Sequence, residues 1–325
     1  MGRPLRRLRK PLRQSLRRAR HRPGSPPHLR RNRPRTHLQP RRRHRSLPSW
    51  PHRSPRQLHR IPRPQKGSGE RDRTIMTTLN IGLILPDVLG TYGDDGNALV
   101  LRQRARMRGI NAEIQRVTLD DAVPSTLDLY CLGGGEDTAQ ILATEHLTKD
   151  GGLQTAAAAG RPIFAVCAGL QVLGDSFRAA GRVIDGLGLI DATTVSLQKR
   201  AIGEVETTPT RAGFTAELTE RLTGFENHMG ATLLGPDAEP LGRVVRGEGN
   251  TDVWAASENT DDQRQQFAEG AVQGSIIATY MHGPALARNP QLADLMLAKA
   301  MGVALKDLEP LDIDVIDRLR AERLA

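Results

Sequence analysis

From Leu79 onward the chain alternates short apolar runs with stretches of helical period. Residues 79–85 form an apolar run closed by Pro86, which predicts a buried strand. A loop carrying Tyr92-Gly93-Asp94-Asp95-Gly96-Asn97 follows. A helix then begins near Ala98 and stops at Gly109, after arginine-rich last turns that suit the helix dipole. Residues 112–117 and 127–132 read as the second and third strands. A small-residue helix with Ala156 to Ala159 ends at Gly160 and leads into a fourth apolar run, 162–166. Beyond it, Leu170, Val172, Leu173 and Phe177 mark one face of a helix closed by Gly181. Segments rich in Val, Thr and Ile, with turns at Gly203, Gly213, Gly224 and Gly235, predict strands on or beside the main sheet. Residues 250–269 read as polar loop, and 274–282 as a last strand that delivers His282 at its end. Strands separated by single helices predict a mostly parallel sheet with right-handed crossovers.

Residues 1–75 follow none of this patterning. They hold 25 Lys and Arg against two acids, a net +23, together with 12 of the 21 prolines and six of the nine histidines. Such a segment repels itself and has nothing to bury, so disorder is expected. One reading makes it a polybasic arm for nucleic acid or anionic lipid. The other makes it an over-extended start, with translation beginning at Met76, and the sharp composition break at that methionine favours it. An Arg-rich transit peptide is a third reading.

The remainder carries 22 basic against 34 acidic residues, a net −12, so the overall +11 misrepresents the folded part. Two cysteines, Cys131 and Cys167, without a C-x-x-C pair or a Cys/His cluster, indicate a reducing compartment and no metal site. There is no apolar run of 18 residues, hence no expected spanning helix.

The candidate chemistry centres on Pro162-Ile163-Phe164-Ala165-Val166-Cys167-Ala168-Gly169-Leu170-Gln171. An apolar strand runs into a cysteine, and two small residues open a helix. A sharp turn there would hold Cys167 clear of the sheet, with the Ala168 N–H directed at an oxyanion. The elbow alone leaves open a buried structural cysteine. Gly133-Gly134-Gly135 ends the third strand, where backbone N–H groups can form an anion nest, so Gly134 or Gly135 is expected to give a second oxyanion donor. Cys131, mid-strand, reads as core. Of the histidines outside the extension, His146 lies on a polar stretch expected to be exposed, and His228 lies in a strand-like segment as a structural group. His282 ends a strand, where a base for Cys167 belongs.

The combination Gly133-Gly134-Gly135-Glu136-Asp137, Val166-Cys167-Ala168-Gly169-Leu170-Gln171, Gly224-Phe225-Glu226-Asn227-His228-Met229-Gly230 and Thr279-Tyr280-Met281-His282-Gly283 resembles class I glutamine amidotransferases of the CobB/CobQ-like branch. Tyr92-Gly93-Asp94 with Gly96-Asn97, and a stand-alone domain, resemble the GatD type within it. The resemblance implies a flavodoxin-like α/β domain over 79–305, with 306–325 as a helical tail. It implies Cys167 and His282 as catalytic residues, the Gly134 and Ala168 N–H groups as oxyanion donors, Arg200 on the substrate α-carboxylate and Gln171 in the pocket. L-glutamine is then the substrate, and ammonia passes to a MurT-like Mur ligase partner in a heterodimer that amidates D-glutamate of lipid II.

One position departs from the pattern. Many class I enzymes carry a glutamate two residues after the histidine, and here Pro284 stands there. Asp294 or the partner is expected to complete the triad, with the partner preferred. No G-x-x-x-x-G-K-[ST] loop occurs, so ATP and Mg are expected on the partner and no cofactor in this chain. The expected location is cytoplasmic, at the inner membrane face through lipid II. Two other readings stand beside the amidotransferase one. A nucleic-acid-binding role through the basic segment has only Trp50 to stack on bases, so no specific nucleic acid is expected. A DJ-1/PfpI-type hydrolase is disfavoured because Ala168, not a histidine, follows Cys167.

Overall fold

The computed structural model describes residues 78–259 and 265–325. The expectations for residues 1–75 and for a start at Met76 lie outside the described residues. In chain order, β1 (Leu79–Ile84), α1 (Gly96–Met107), β2 (Ala112–Val117), β3 (Leu129–Leu132), α2 (Asp137–Asp150), α3 (Gly152–Ala158), β4 (Ile163–Val166) and α4 (Ala168–Leu173) come first. An inserted β-rich section follows: β5 (Ser176–Ala179), β6 (Arg182–Asp185), β7 (Ala192–Pro209), β8 (Leu222–Leu234), β9 (Gly242–Arg246), α5 (Val253–Asn259) and β10 (Ala268–Glu269). The chain then returns through β11 (Ala271–Gln273), β12 (Ile276–Thr279), α6 (Ala285–Arg288), α7 (Pro290–Ala300) and α8 (Asp314–Leu324).

The main sheet runs β2-β1-β3-β4-β12-β11, parallel except for β11. Every residue of β3, β4 and β12 is buried, as apolar runs without alternation require when helices cover both faces. Burying each large side chain, such as Ile163 or Phe164, contributes about 1.5–3 kcal/mol. This α/β, flavodoxin-like order reverses direction between β1 and β3, and in open sheets ligands bind beyond the strand carboxyl ends at that switch. The second sheet, β10-β9-β7-β5-β6 with β8 on β7, stands on the long β7–β8 hairpin. None of the helices among the described residues is long and apolar enough to cross a membrane.

Two stretches depart from the sequence-based expectation. The helix after Cys167 ends at Leu173 because Gly174 is extended, and Phe177 lies on β5. Gly181 closes no helix. With Ala180 it takes positive φ in the tight turn of the β5–β6 hairpin, where only such backbones match the strand twist. Residues 250–269 hold α5 and β10 rather than loop alone. His146 sits on α2, half-buried, its Nε2 3.1 Å from the Asp121 carbonyl. Cys131 is core as expected, its thiol pushed up to about 12 by burial.

Candidate active site

The carboxyl ends of β1, β3, β4 and β12 converge on one edge of the sheet. Cys167 follows β4 directly, with φ 53° and ψ −105°, a left-handed strain that a non-glycine residue adopts only where its surroundings enforce it. Its N–H donates to the Thr279 carbonyl of β12 at 2.8 Å, and its carbonyl accepts the Gln171 N–H. Gly169 is tightly confined, since a Cβ would lie 3.1 Å from Leu132 Cβ and 3.2 Å from the Gly133 carbonyl. The elbow is thereby pressed against the glycine loop after β3.

His282 lies three residues beyond β12. Its backbone exchanges two hydrogen bonds with Phe225 of β8, so the segment 224–230 and the histidine form one unit. The buried imidazole donates through Nδ1 to Asp94, 3.1 and 3.0 Å from the two carboxylate oxygens. Burial works to lower its pKa, but the hydrogen bond to Asp94 and the nearness of Cys167 and the Asp94 charge outweigh burial and carry it from 6.5 up to about 10. Nε2, the other ring nitrogen, is buried without a hydrogen-bond partner, and Cys167 is the group beside it.

Within this chain the carboxylate that meets the histidine is Asp94 and not the expected Asp294. Asp294 is occupied elsewhere: Arg104 grips it through two nitrogens at 2.7 and 2.6 Å and Arg108 adds a third contact at 2.7 Å, which ties α7 to α1. Asp94 reaches His282 because Pro284 packs onto Gly96, where a Cβ would lie only 2.2 Å from the proline ring. Asn97 Oδ1 also accepts the Leu286 N–H. The proline that replaces the usual glutamate thus docks the histidine segment on the loop that supplies the carboxylate.

Gly134 also departs from its expected role. Its N–H donates to Asp94 Oδ2 at 2.9 Å, so it is not available to an oxyanion. Gly135 lines the cavity beside Cys167, and its N–H and that of Ala168 have no acceptor among the described residues.

The cavity is about 240 Å³ and opens over Cys167. Gln171 lines it, its amide fixed at both ends by Gln140 and by the Tyr280 hydroxyl, at 2.9 Å from the latter. Arg200 stands at its mouth, exposed, with Nη1 3.2 Å from Asn227 Oδ1. Tyr92, Glu136, Asp137, Arg178 and His228 are among its other polar lining residues. His228 is buried, stacked on Tyr280 at 3.7 Å. Sequence reasoning missed Asp94 and Arg178 as site residues. The Tyr92-Gly93-Asp94 motif was the available signal for the first. Among the described residues no group of His, Cys, Asp and Glu is arranged to hold a metal ion.

A strained elbow cysteine beside a histidine–aspartate pair, at the switch point of a flavodoxin-like sheet, is the arrangement of a cysteine-dependent amidotransferase domain. The chain belongs to the CobB/CobQ-like glutamine amidotransferase domain family, which it matches over residues 80–290. It is 32% identical over 252 residues to the lipid II isoglutaminyl synthase (glutamine-hydrolyzing) subunit GatD of Staphylococcus aureus (strain N315), a match covering 77% of this chain and 95% of that one. With the same subunit of Streptococcus pneumoniae (strain ATCC BAA-255 / R6) it shares 32% over 227 residues, 69% of this chain and 80% of the other. Cobyric acid synthase of Photorhabdus laumondii subsp. laumondii is 30% identical over 229 residues, 66% of this chain but 40% of that enzyme.

Proposed function

We propose that this chain is the glutaminase subunit of a lipid II isoglutaminyl synthase, hydrolysing L-glutamine to glutamate and ammonia. The observation that carries the reading is the His282–Asp94 hydrogen bond set beside the Cys167 elbow, at the carboxyl ends of β12 and β4. Near-complete coverage of the GatD relative, against less than half of the cobyric acid synthase, favours this acceptor over another carboxylic acid.

In this reading the Cys167 thiolate attacks the side-chain amide carbon of glutamine. The Gly135 and Ala168 N–H groups hold the tetrahedral oxyanion. The His282 imidazolium gives its Nε2 proton to the departing nitrogen as the C–N bond breaks, so ammonia leaves and a Cys167 thioester remains. His282, now neutral, takes a proton from water as the water adds to the thioester. Collapse of the intermediate expels the Cys167 thiolate, restoring the thiolate–imidazolium pair, and the product leaves as glutamate with its carboxyl proton lost to solvent. Asp94 holds the Nδ1–H tautomer throughout, which leaves Nε2 for the chemistry. Arg200 anchors the α-carboxylate, and Gln171 shapes the pocket floor.

Ammonia is then consumed by a MurT-like Mur ligase subunit that binds ATP and Mg and amidates D-glutamate of lipid II at the cytoplasmic membrane face. The test is nitrogen transfer from amide-labelled glutamine into lipid II by this chain combined with a MurT-like subunit. Label in the isoglutamine, lost with Cys167→Ala, supports the reading. Label transfer to a cobyrinate-type acid but not to lipid II would move the chain to the cobyric acid synthase reaction.

A further inference from the structure

A glutaminase pocket has to read the far end of its substrate as well as the amide. That end is a zwitterion, an α-carboxylate and an α-ammonium on one carbon, so the cavity needs an anion as well as a cation. Two carboxylates line it, Glu136 and Asp137. Asp137 is already committed: its Oδ2 accepts the Ala180 N–H at 2.7 Å and ties α2 to the β5–β6 turn. Glu136 is not. One oxygen accepts the Tyr92 hydroxyl, and Oε2 has no protein partner among the described residues.

Tyr92 fixes where that carboxylate stands. Its ring lies against the His282 imidazole, centroids 5.0 Å apart and planes tilted by 54°. The side chain that lies on the catalytic histidine is therefore the one that holds Glu136. Cys167, Arg200 and Glu136 line the same cavity as the phenol. Its pKa is raised to about 12, first by the bond to Glu136 and then by burial, which keeps it a hydrogen donor at any working pH. In glutamine four bonds separate the amide carbon from the α-nitrogen, a reach of about 5 Å.

We infer that Glu136 is the subsite for the α-ammonium group of the substrate, with Tyr92 as the residue that positions it. The inference rests on the glutaminase reading above. A free carboxylate oxygen at the cavity wall accepts a charge-assisted hydrogen bond from the ammonium, while Arg200 takes the carboxylate on the other branch. Selection for an α-amino acid then follows from one charge held against the triad.

The test compares L-glutamine with glutaramic acid, which keeps the amide and carboxylate and lacks the α-amine, in the full-length protein. Wild type should favour glutamine by about 100-fold or more in kcat/KM, as sites built to bind a polar group reject analogues without it. Glu136→Gln should raise KM for glutamine about 10–100-fold with kcat nearly unchanged, and leave glutaramic acid unaffected, so the preference collapses. Glu136→Asp should recover part of it, and Tyr92→Phe should lose preference in the same direction by a smaller factor. Equal losses on both substrates, or an unchanged preference in Glu136→Gln, would overturn the subsite while the glutaminase reading stands. A wild-type protein that hydrolyses no glutamine would overturn both.

Discussion

Asp94 and His282 meet across 188 positions of sequence, the carboxylate of a turn before α1 facing the imidazole of the segment after β12 at 3.0 Å. Neither residue lies on an element that pairs with the other's. The contact exists because Pro284 seats on Gly96 and the Asn97 side chain receives the Leu286 N–H. It gives the histidine a carboxylate acceptor at Nδ1 from within this chain.

Replacing Asp94 by Asn keeps the shape of the side chain and removes its charge. Without an anion at Nδ1 the wrong tautomer becomes accessible, and kcat for glutamine hydrolysis should fall by about 10²–10⁴-fold with KM little changed. Steady-state glutamate release measures this, and a loss under threefold would remove Asp94 from the triad.

The same variant should move a pH limit. His282 is raised to about 10 in the native protein, so the imidazolium needed to protonate the leaving nitrogen persists well above neutrality. The alkaline limb of kcat/KM should lie near pH 10 and shift downward in Asp94→Asn. In stability the sign is the same: between the ordinary value of 6.5 and about 10 the native state holds a proton that the unfolded chain has lost. The stabilisation is complete below pH 6.5 and disappears as pH rises through 10. Chemical denaturation at several pH values should show this decline in wild type and a shallower one in Asp94→Asn.

Glu269 carries the opposite kind of group. Burial, partly offset by donors from Thr279 and the Tyr280 backbone, pushes its carboxyl from 4.5 up to about 7. Between those values the native state keeps a proton that the unfolded chain releases, so stability falls as pH rises from 4.5 to 7 and then levels. Glu269→Gln has no such group. Its melting temperature relative to wild type should improve from pH 5 to 7 and stay constant above, and a gap independent of pH would contradict the assignment.

Two guanidinium groups border the cavity, and they are not equivalent. Arg200 is oriented by Asn227, whereas Arg178 on β5 makes no ion pair or side-chain hydrogen bond among the described residues. Arg200→Met should raise KM for glutamine about 10–100-fold, and Arg178→Met by less, since an anchored fork loses less freedom on binding. A larger effect at Arg178 would transfer the α-carboxylate contact to it.

Strands β1, β3, β4 and β12 were legible because each is an apolar run bordered by Gly or Pro, and Cys167 and His282 because each follows such a run. Phe177 was misplaced because 170, 173 and 177 fit a helical period as well as Phe177 and Ala179 fit a strand, and only the extended backbone at Gly174 decides between them. That error also hid Arg178. Asp94 has no role legible within its motif, because its direction is set by packing between Gly96 and Pro284. Gly134 was assigned from a glycine run whose members are indistinguishable in sequence; the carboxylate of Asp94 is what separates Gly134 from Gly135.

The most direct test of a triad complete within one chain is glutamate release from L-glutamine by this protein without a partner, with Cys167→Ala and Asp94→Asn beside it. Turnover by wild type alone, abolished in the first variant and strongly reduced in the second, is the predicted result. Turnover that appears only when a synthetase subunit is added, or that survives Cys167→Ala, would contradict it.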